Sequence, residues 1–542
     1  MKKAVFLFCL FFIGASYASD TVYVHNPQIP VLIDRHDNIL CEMRIPAAGG
    51  QRLDNVVLRF SDDTDLRQIK SVKLYYGGVE SPLYDGVRFR PVDNYIPRNH
   101  MAAMREARPA YSVLQSEIRR PKRENVLASG QRMLGPVDYF WISIEMKKGA
   151  SPDAIIVADV SAAVIDGKSF HIKGEESADV VRRMGVGVRY AGDDDVAAYR
   201  IPGLATTKKG TLIAVYDVRY RFHTDLQEKI DIGVSRSTDG GKTWKPMQIA
   251  MTFAGAGGLP HGQNGVGDPS ILVDENTGTI WIVASWIHGL GNSRAWTGSS
   301  QGLLPEQTGQ LVLVRSDDDG RTWSKPINIT EQVKRPEWYY LLQGPGRGIT
   351  MHDGTLVFPA QFKDENQMPY STIIYSRDNG TTWHIGTGAR MDTTEAQVVE
   401  IEDGVLMLNM RDNRGSSRAV AVTYDMGQTW REHPSSRSAL REPVCMASLL
   451  NVEAEDNVLG RDLLLFSNPD TTVGRHHITI KASLDGGHTW SDNNKILLDE
   501  EPGWGYSCLT LIDSETIGIL YEASVAHMVF QRIKIKDFIR EL

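Results

Sequence analysis

From about residue 185 onward, short apolar runs alternate with polar turns on two interleaved schedules. The first schedule comprises Ile232–Ser235, Leu311–Val314, Thr372–Tyr375, Ala419–Val422 and His477–Ile480. Each run leads into the same eight-residue turn, S/T-x-D-x-G-x-T-W, at Ser237–Trp244, Ser316–Trp323, Ser376–Trp383, Thr423–Trp430 and Ser483–Trp490. Asp and Gly or Asn-Gly at the centre are turn chemistry, so each copy predicts a hairpin, with Thr-Trp opening the next strand. The second schedule comprises Gly210–Tyr216, Gly278–Val283, Gly354–Phe358, Gly404–Leu408, Arg461–Phe466 and Thr516–Tyr521. Six four-stranded units of roughly 60 residues each predict an all-β fold, a six-bladed β-propeller over residues 183–542. The sixth unit carries no box, which fits a blade completed by the other terminus. A β-solenoid is excluded because the spacing is too long and too irregular.

Residues 19–182 lack both repeats. Strand-like runs at Val56–Phe60, Val72–Tyr76, Phe140–Ile144 and Ile155–Asp159 predict a separate β-sandwich-like domain that binds carbohydrate or has a structural role. Trp141 and Tyr75 could stack on sugars, but the ordinary place for such residues is a core. Met101–Asn125 is polar and Arg-rich, which reads as a solvated loop or short helix. The junction is expected within Val180–Asp195. At the start, Lys2 and Lys3 precede the apolar run Ala4–Ile13, and Ser16-Tyr17-Ala18 is a small-x-small site. Residues 1–18 thus read as a secretory signal peptide, too short to span a bilayer. Export to the periplasm, the cell surface or the medium follows, with no membrane insertion after cleavage.

The net charge is -8, and loss of two lysines with the leader makes it -10. No basic field suggests nucleic acid. An anionic substrate therefore needs a local cluster of arginines. Cys41, Cys445 and Cys508 form no disulfide framework; a single Cys445–Cys508 bridge and free buried thiols both remain open. Asp317-Asp-Asp-Gly lacks the spaced ligands and closing Glu of a calcium loop. No metal or cofactor is expected, and the chain is expected to act as a monomer.

Strands alternate in direction within a blade. The start of the inner strand, the end of the second strand and the loop after it therefore share one face. The boxes lie on the opposite face, where their side chains bond turn amides and their Trp packs between blades. Counting outward from each turn pairs Arg200 with Arg219, Glu395 with Arg411, and Tyr506 with Glu522. Loops on the same face add Asp225 and Arg475. Singly, an Arg near a carboxylate is a surface ion pair. Several at equivalent strand ends around one axis are costly to bury unless they bind something.

The opening Tyr199-Arg-Ile-Pro, with five boxes in register, resembles the bacterial exo-alpha-sialidases, especially secreted Bacteroides-type members. The resemblance covers roughly residues 185–542. It implies sialylated glycans as substrate and a retaining reaction. Three arginines then grip the sialic acid carboxylate: Arg200 of the R-I-P motif, Arg411 closing Leu408-Asn-Met-Arg, and Arg475 after Ser467-Asn-Pro469. Tyr506 matches the nucleophile, Glu395 its base, Asp225 the acid/base, and Glu522 the residue orienting Arg200. Asp225 follows the Arg219 that ends the first hairpin, and Asp217 and Asp231 lie close by in sequence. Asp268, in Gly267-Asp-Pro-Ser, matches an Asp that touches the substrate near its N-acyl or 4-hydroxyl group. Transfer to another sugar, intramolecular transfer giving an anhydro product, and an inactive sialoside-binding propeller are the alternatives. The Tyr506–Glu395 pair argues against the last.

Overall fold

The computed structural model describes residues 20–540 except 48, 85–88, 90–107, 110 and 175–179. The leader read over residues 1–18 lies outside these, as do residues 101–107 and 110 of the Arg-rich stretch.

Six antiparallel sheets surround one axis. Blade one runs Ala198–Thr206, Leu212–Arg219, Ile230–Ser237 and Gln248–Met251 from the axis outward. Blade four repeats it with Thr393–Glu402, Val405–Asp412, Ala419–Thr423 and Arg431–Glu432. Both expected schedules occupy the second and third strands, where Val and Ile are buried on both faces between neighbouring blades. The Thr-Trp pairs lead directly into the outermost strand in blades three and four, at His384 and Arg431, but not in the other box-bearing blades. Trp244 precedes its strand at Gln248, and Trp490 precedes Lys495. In blade three the inner edge is broken: Tyr340–Gln343 and Ile349–Thr350 pair within the blade, whereas Gly346–Arg347 pairs with blade two.

Each box is one hydrogen-bonded unit. In blade two, Ser316 Oγ donates to Asp318 Oδ1 (2.8 Å) and accepts from Gly320 N (2.9 Å). Asp318 also accepts from Thr322 N (2.8 Å) and Thr322 Oγ1 (2.7 Å). The same bonds recur at Asp239, Asp378, Asp425 and Asp485. The box glycine has positive φ in every copy, 74° at Gly320 and 85° at Gly241, which a side chain would strain. Trp244 packs edge-on to Phe530 of blade six, and Trp383 to Trp281 of blade two. Asp319, within the blade-two box, bonds Thr207, Thr211 and Arg236 of blade one. The boxes thus knit neighbouring blades together.

The expected junction is itself a strand. Arg182–Arg189 pairs antiparallel with Met528–Lys534 and forms the outer strand of blade six, so both ends of the propeller sequence close the ring. Val31–Leu32 and Ile155–Ile156 of the N-terminal region pair with the same strand.

The N-terminal strands form one curled nine-stranded sheet whose end strands, Val113–Arg119 and Glu124–Met133, lie against each other. The first of these replaces part of the expected loop or short helix. Ile155–Asp159 is broken at Val157. Tyr75 and Trp141 stack on one another at 4.3 Å in a core, not on a sugar-facing surface. That core continues without a break into blades five and six. Cys41, Cys445 and Cys508 are all buried free thiols.

Ser316→Ala would leave the buried Gly320 N–H without its acceptor. It is expected to lower unfolding free energy by about 1–3 kcal/mol. Turnover per folded molecule should be unchanged, as read by urea titration and by rate at 25 °C.

Candidate active site

The functional side chains stand where inner-strand pairing breaks. In blade one the ladder shifts between Arg200 and Gly203, with Ile201 at φ 62°. In blade four it shifts between Thr393 and Ala396, at Glu395. Such bulges re-aim side chains and are common beside active sites. They also correct the simple count from the turn: Arg200 pairs with Asp217, and Arg219 pairs with Ala198. Glu395 and Arg411 do meet, with Arg411 Nη1 to Glu395 Oε2 at 2.5 Å. Tyr506 and Glu522 are adjacent, joined by Glu522 N to Tyr506 O at 2.9 Å.

Glu522 has no solvent exposure. It accepts from Arg200 Nε (2.7 Å), Arg200 Nη2 (3.3 Å), Ile201 N (2.9 Å) and Tyr506 N (3.0 Å). Three guanidinium groups then converge on one phenol ring. Arg200 lies 5.4 Å and Arg475 5.6 Å from the Tyr506 ring centre, and Arg411 Nη1 is 3.2 Å from its hydroxyl. Arg475 is aimed by the carbonyls of Trp504 (3.1 Å) and Val444 (3.2 Å). The buried Nε of Arg411 has no partner among the described residues. Tyr506 donates to Glu395 Oε1 at 2.5 Å. Burial, and then the Glu395 charge, push the phenol well above the usual tyrosine range, while Arg411 and Arg475 pull it back.

Asp225 lines the axial cavity from the loop after the second strand of blade one. Its carboxylate accepts from Arg219 (2.9 Å) and from Arg294 (3.3 Å). Burial would raise its pKa, but Arg219 and Arg200 outweigh this and hold the carboxyl below the usual range. Asp217 and Asp231 are buried and lie behind the cavity wall, Asp217 with Arg219 and Asp231 with Tyr220 and His261. Arg219 also spends its donors inside the fold, on Asp217, Asp225 and His223 O, so it backs Asp225 and does not face the cavity. Asp268 lines the cavity with its backbone at φ 59°, its N–H bonded to Asp217 Oδ1 at 2.8 Å. Burial, and then the Asp217 and Asp225 charges, push its carboxyl well above the ordinary range.

The cavity holds about 340 Å³, with Glu395, Arg411 and Tyr506 on one side and Leu226, Trp296 and Leu342 on the other. Among the described residues, His25 with Glu500 and Glu501, and His352 with Glu400 and Asp403, bring metal-ligand atoms together. Neither group lines this cavity. Two contributors escaped sequence reasoning. Arg294 sits in a long blade-two loop without repeat pattern. Trp504, two residues before Tyr506, carries Arg200 over its ring at 4.7 Å, and only its nearness to Tyr506 pointed to it.

Residues 19–169 match the N-terminal domain of BNR-repeat neuraminidase, and residues 201–515 match the BNR repeat-like domain. The chain belongs to the BNR-repeat neuraminidases. Membership makes it a glycoside hydrolase of the exo-alpha-sialidase class. It is 56% identical to a sialidase of Bacteroides fragilis over the full length of both chains. It is 33% identical to a sialidase of Paraclostridium sordellii over 60% of this chain and 81% of that one. Among solved structures, a Hadza microbial sialidase, Hz136, superposes with a TM-score of 0.91 at 59% identity, covering 95% of this chain and 100% of that one.

Glu522→Gln keeps the shape of the neuraminidase's central carboxylate but removes its charge. Leaving Arg200 buried and unneutralised is expected to cost about 3 kcal/mol of unfolding free energy. Urea titration beside the native chain checks this.

Proposed function

We propose that this hydrolase removes terminal alpha-linked sialic acid from glycoproteins, glycolipids and oligosaccharides, with retention of configuration, using Tyr506 as nucleophile. The observation that carries the reading is the 2.5 Å contact of the Tyr506 hydroxyl with Glu395, with Arg411 Nη1 reaching both. Sialic acid bears a carboxylate on its anomeric carbon. Arg200, Arg411 and Arg475 hold that group, since guanidinium is planar, always charged and a multiple donor. An anionic nucleophile would be repelled by the carboxylate by roughly 4 kcal/mol at 4 Å and an effective dielectric near 20. A neutral phenol avoids this. Sialidases with a Tyr nucleophile are a recognised exception to two-carboxylate glycosidase chemistry.

In the first step Asp225 gives its proton to the glycosidic oxygen and the C–O bond breaks. Tyr506 loses its proton to Glu395 and bonds the anomeric carbon through an oxocarbenium-like transition state. In the second step Asp225 takes a proton from water, whose oxygen displaces Tyr506, and the phenolate recovers its proton from Glu395. Arg219 and Arg200 hold the Asp225 carboxyl low in the empty site, and a substrate carboxylate on Arg200 offsets the second of these fields, which shifts Asp225 toward the protonated form the first step needs. A cavity of about 340 Å³ is at the small end for ligand sites, which suits one terminal sugar and an exo action. Export through the leader would deliver the enzyme to extracellular sialoglycans.

A proton NMR time course with alpha-linked sialyl-lactose tests the outcome. Free sialic acid is expected first as its alpha anomer; beta first would overturn the retaining step, and an anhydro product would make the enzyme an intramolecular transferase. Tyr506→Phe is expected to lose nearly all turnover with its fold intact; near-normal turnover would sink the nucleophile assignment.

Asp225→Asn is expected to slow sialyl-lactose cleavage by about 10²–10⁴-fold. An aryl sialoside, whose phenolate leaves without a proton, should lose far less. Equal losses on both substrates would remove Asp225 from the acid role.

A further inference from the structure

The segment Glu500–Gly505 leads from the outer strand of blade five to Tyr506, and it packs behind two of the arginines proposed to bind the substrate carboxylate. Trp504 lies under Arg200 at 4.7 Å, and its carbonyl accepts from Arg475. Gly503 N donates to Arg475 O at 3.0 Å, and His477 N to Glu500 O at 3.3 Å. Two of the three arginines therefore rest against this segment, Arg475 through hydrogen bonds and Arg200 through the Trp504 ring.

Its outer end is held by the N-terminal domain. Gln28 N donates to Glu500 Oε1 and Glu500 N donates to Gln28 O, both at 2.8 Å. Tyr84 donates to Glu501 Oε1 at 2.6 Å. Tyr84 has one hydroxyl proton, and the carboxylate takes it. His25 Nε2, 2.7 Å from the same hydroxyl, must then be the donor of the second bond. Tyr84 is fixed in turn by edge-on contact with His25 at 5.5 Å and by packing on Phe89. A second hold lies just beyond Glu522: the buried Arg35 donates to Val525 O at 3.0 Å.

We infer that the N-terminal domain is part of the substrate-binding machinery: through Gln28, His25 and Tyr84 it fixes the Glu500–Trp504 segment and thereby positions Arg475 and Arg200 for the substrate carboxylate. Tyr84 and His25 are positioning residues; neither lines the cavity. This inference rests on the carboxylate-binding role proposed for the arginines. A domain that only captured glycan surfaces would have no reason to hold this segment by its carboxylates.

The carboxylate is bound in both ground and transition states, so loosening its grip removes uniform binding and raises KM more than it lowers kcat. Tyr84→Phe keeps the ring and deletes only the hydroxyl. Loss of one such bond is expected to raise KM for sialyl-lactose about five- to tenfold, with kcat within about twofold. The inhibition constant of free sialic acid should rise by the same factor, and the urea midpoint should stay near native. Glu501→Ala, made from the propeller side, should reproduce the effect. Glu501→Gln, which still accepts from Tyr84, should restore most of the native KM. Arg475→Ala is measured in parallel. If it raises KM while Tyr84→Phe and Glu501→Ala leave KM unchanged, the inference is wrong and the carboxylate reading stands. If Arg475→Ala leaves KM unchanged, the carboxylate reading fails and the inference falls with it.

Discussion

One buried carboxylate organises the catalytic face. Glu522 is sealed from water and compensated by a guanidinium and two backbone amides, so it can neither be removed nor left half-paired without a large cost. Its bonds reach both partners of the closing seam, blade one through Arg200 and Ile201, and its own blade six through Tyr506. The Ile201 N–H leaves the strand ladder to meet Glu522, and the ladder slips at that place. The bulge that aims Arg200 inward and the ion pair that holds it are thus one arrangement. Tyr506 inherits its place from the other oxygen of the same group.

Around that anchor the charges are sorted by role. Arg411 lines the cavity beside Tyr506, whereas Arg219 turns its nitrogens to Asp217, Asp225 and His223 O and serves Asp225 from behind. The acids divide in the same manner. Glu395 and Asp225 face the cavity beside a cation, and Asp217 lies sealed against Arg219, where its charge helps raise the Asp268 carboxyl above the ordinary range. A site prepared for an anionic sugar acid therefore has its field in place before the ligand arrives, and little reorganisation is left for the reaction itself.

Much of this was legible in the sequence because it is periodic or local. The two interleaved apolar schedules revealed six blades, and alternating strand direction assigned Arg200, Glu395, Arg411 and Tyr506 to one face. Two kinds of information were not periodic and so were misread or missed. Bulges insert residues without changing the apolar pattern, so the count from the turn placed Arg219 opposite Arg200, two positions off. Long loops obey no repeat, which hid Arg294. The junction over Val180–Asp195 was read as a connector because nothing in a short apolar run says which distant strand it will pair with. Trp141 and Tyr75 were correctly weighed as core, since large apolar rings are most stable when covered on both faces.

The closure of blade six by Arg182–Arg189 against Met528–Lys534 has a consequence for how the enzyme comes into being. Arg200 is made early and Tyr506 and Glu522 late, and the seam between them is sewn only when the two distant strands meet. A fragment that ends before blade six lacks both Tyr506 and Glu522. The catalytic face is therefore complete only in a chain whose last blade has been made and has met its first.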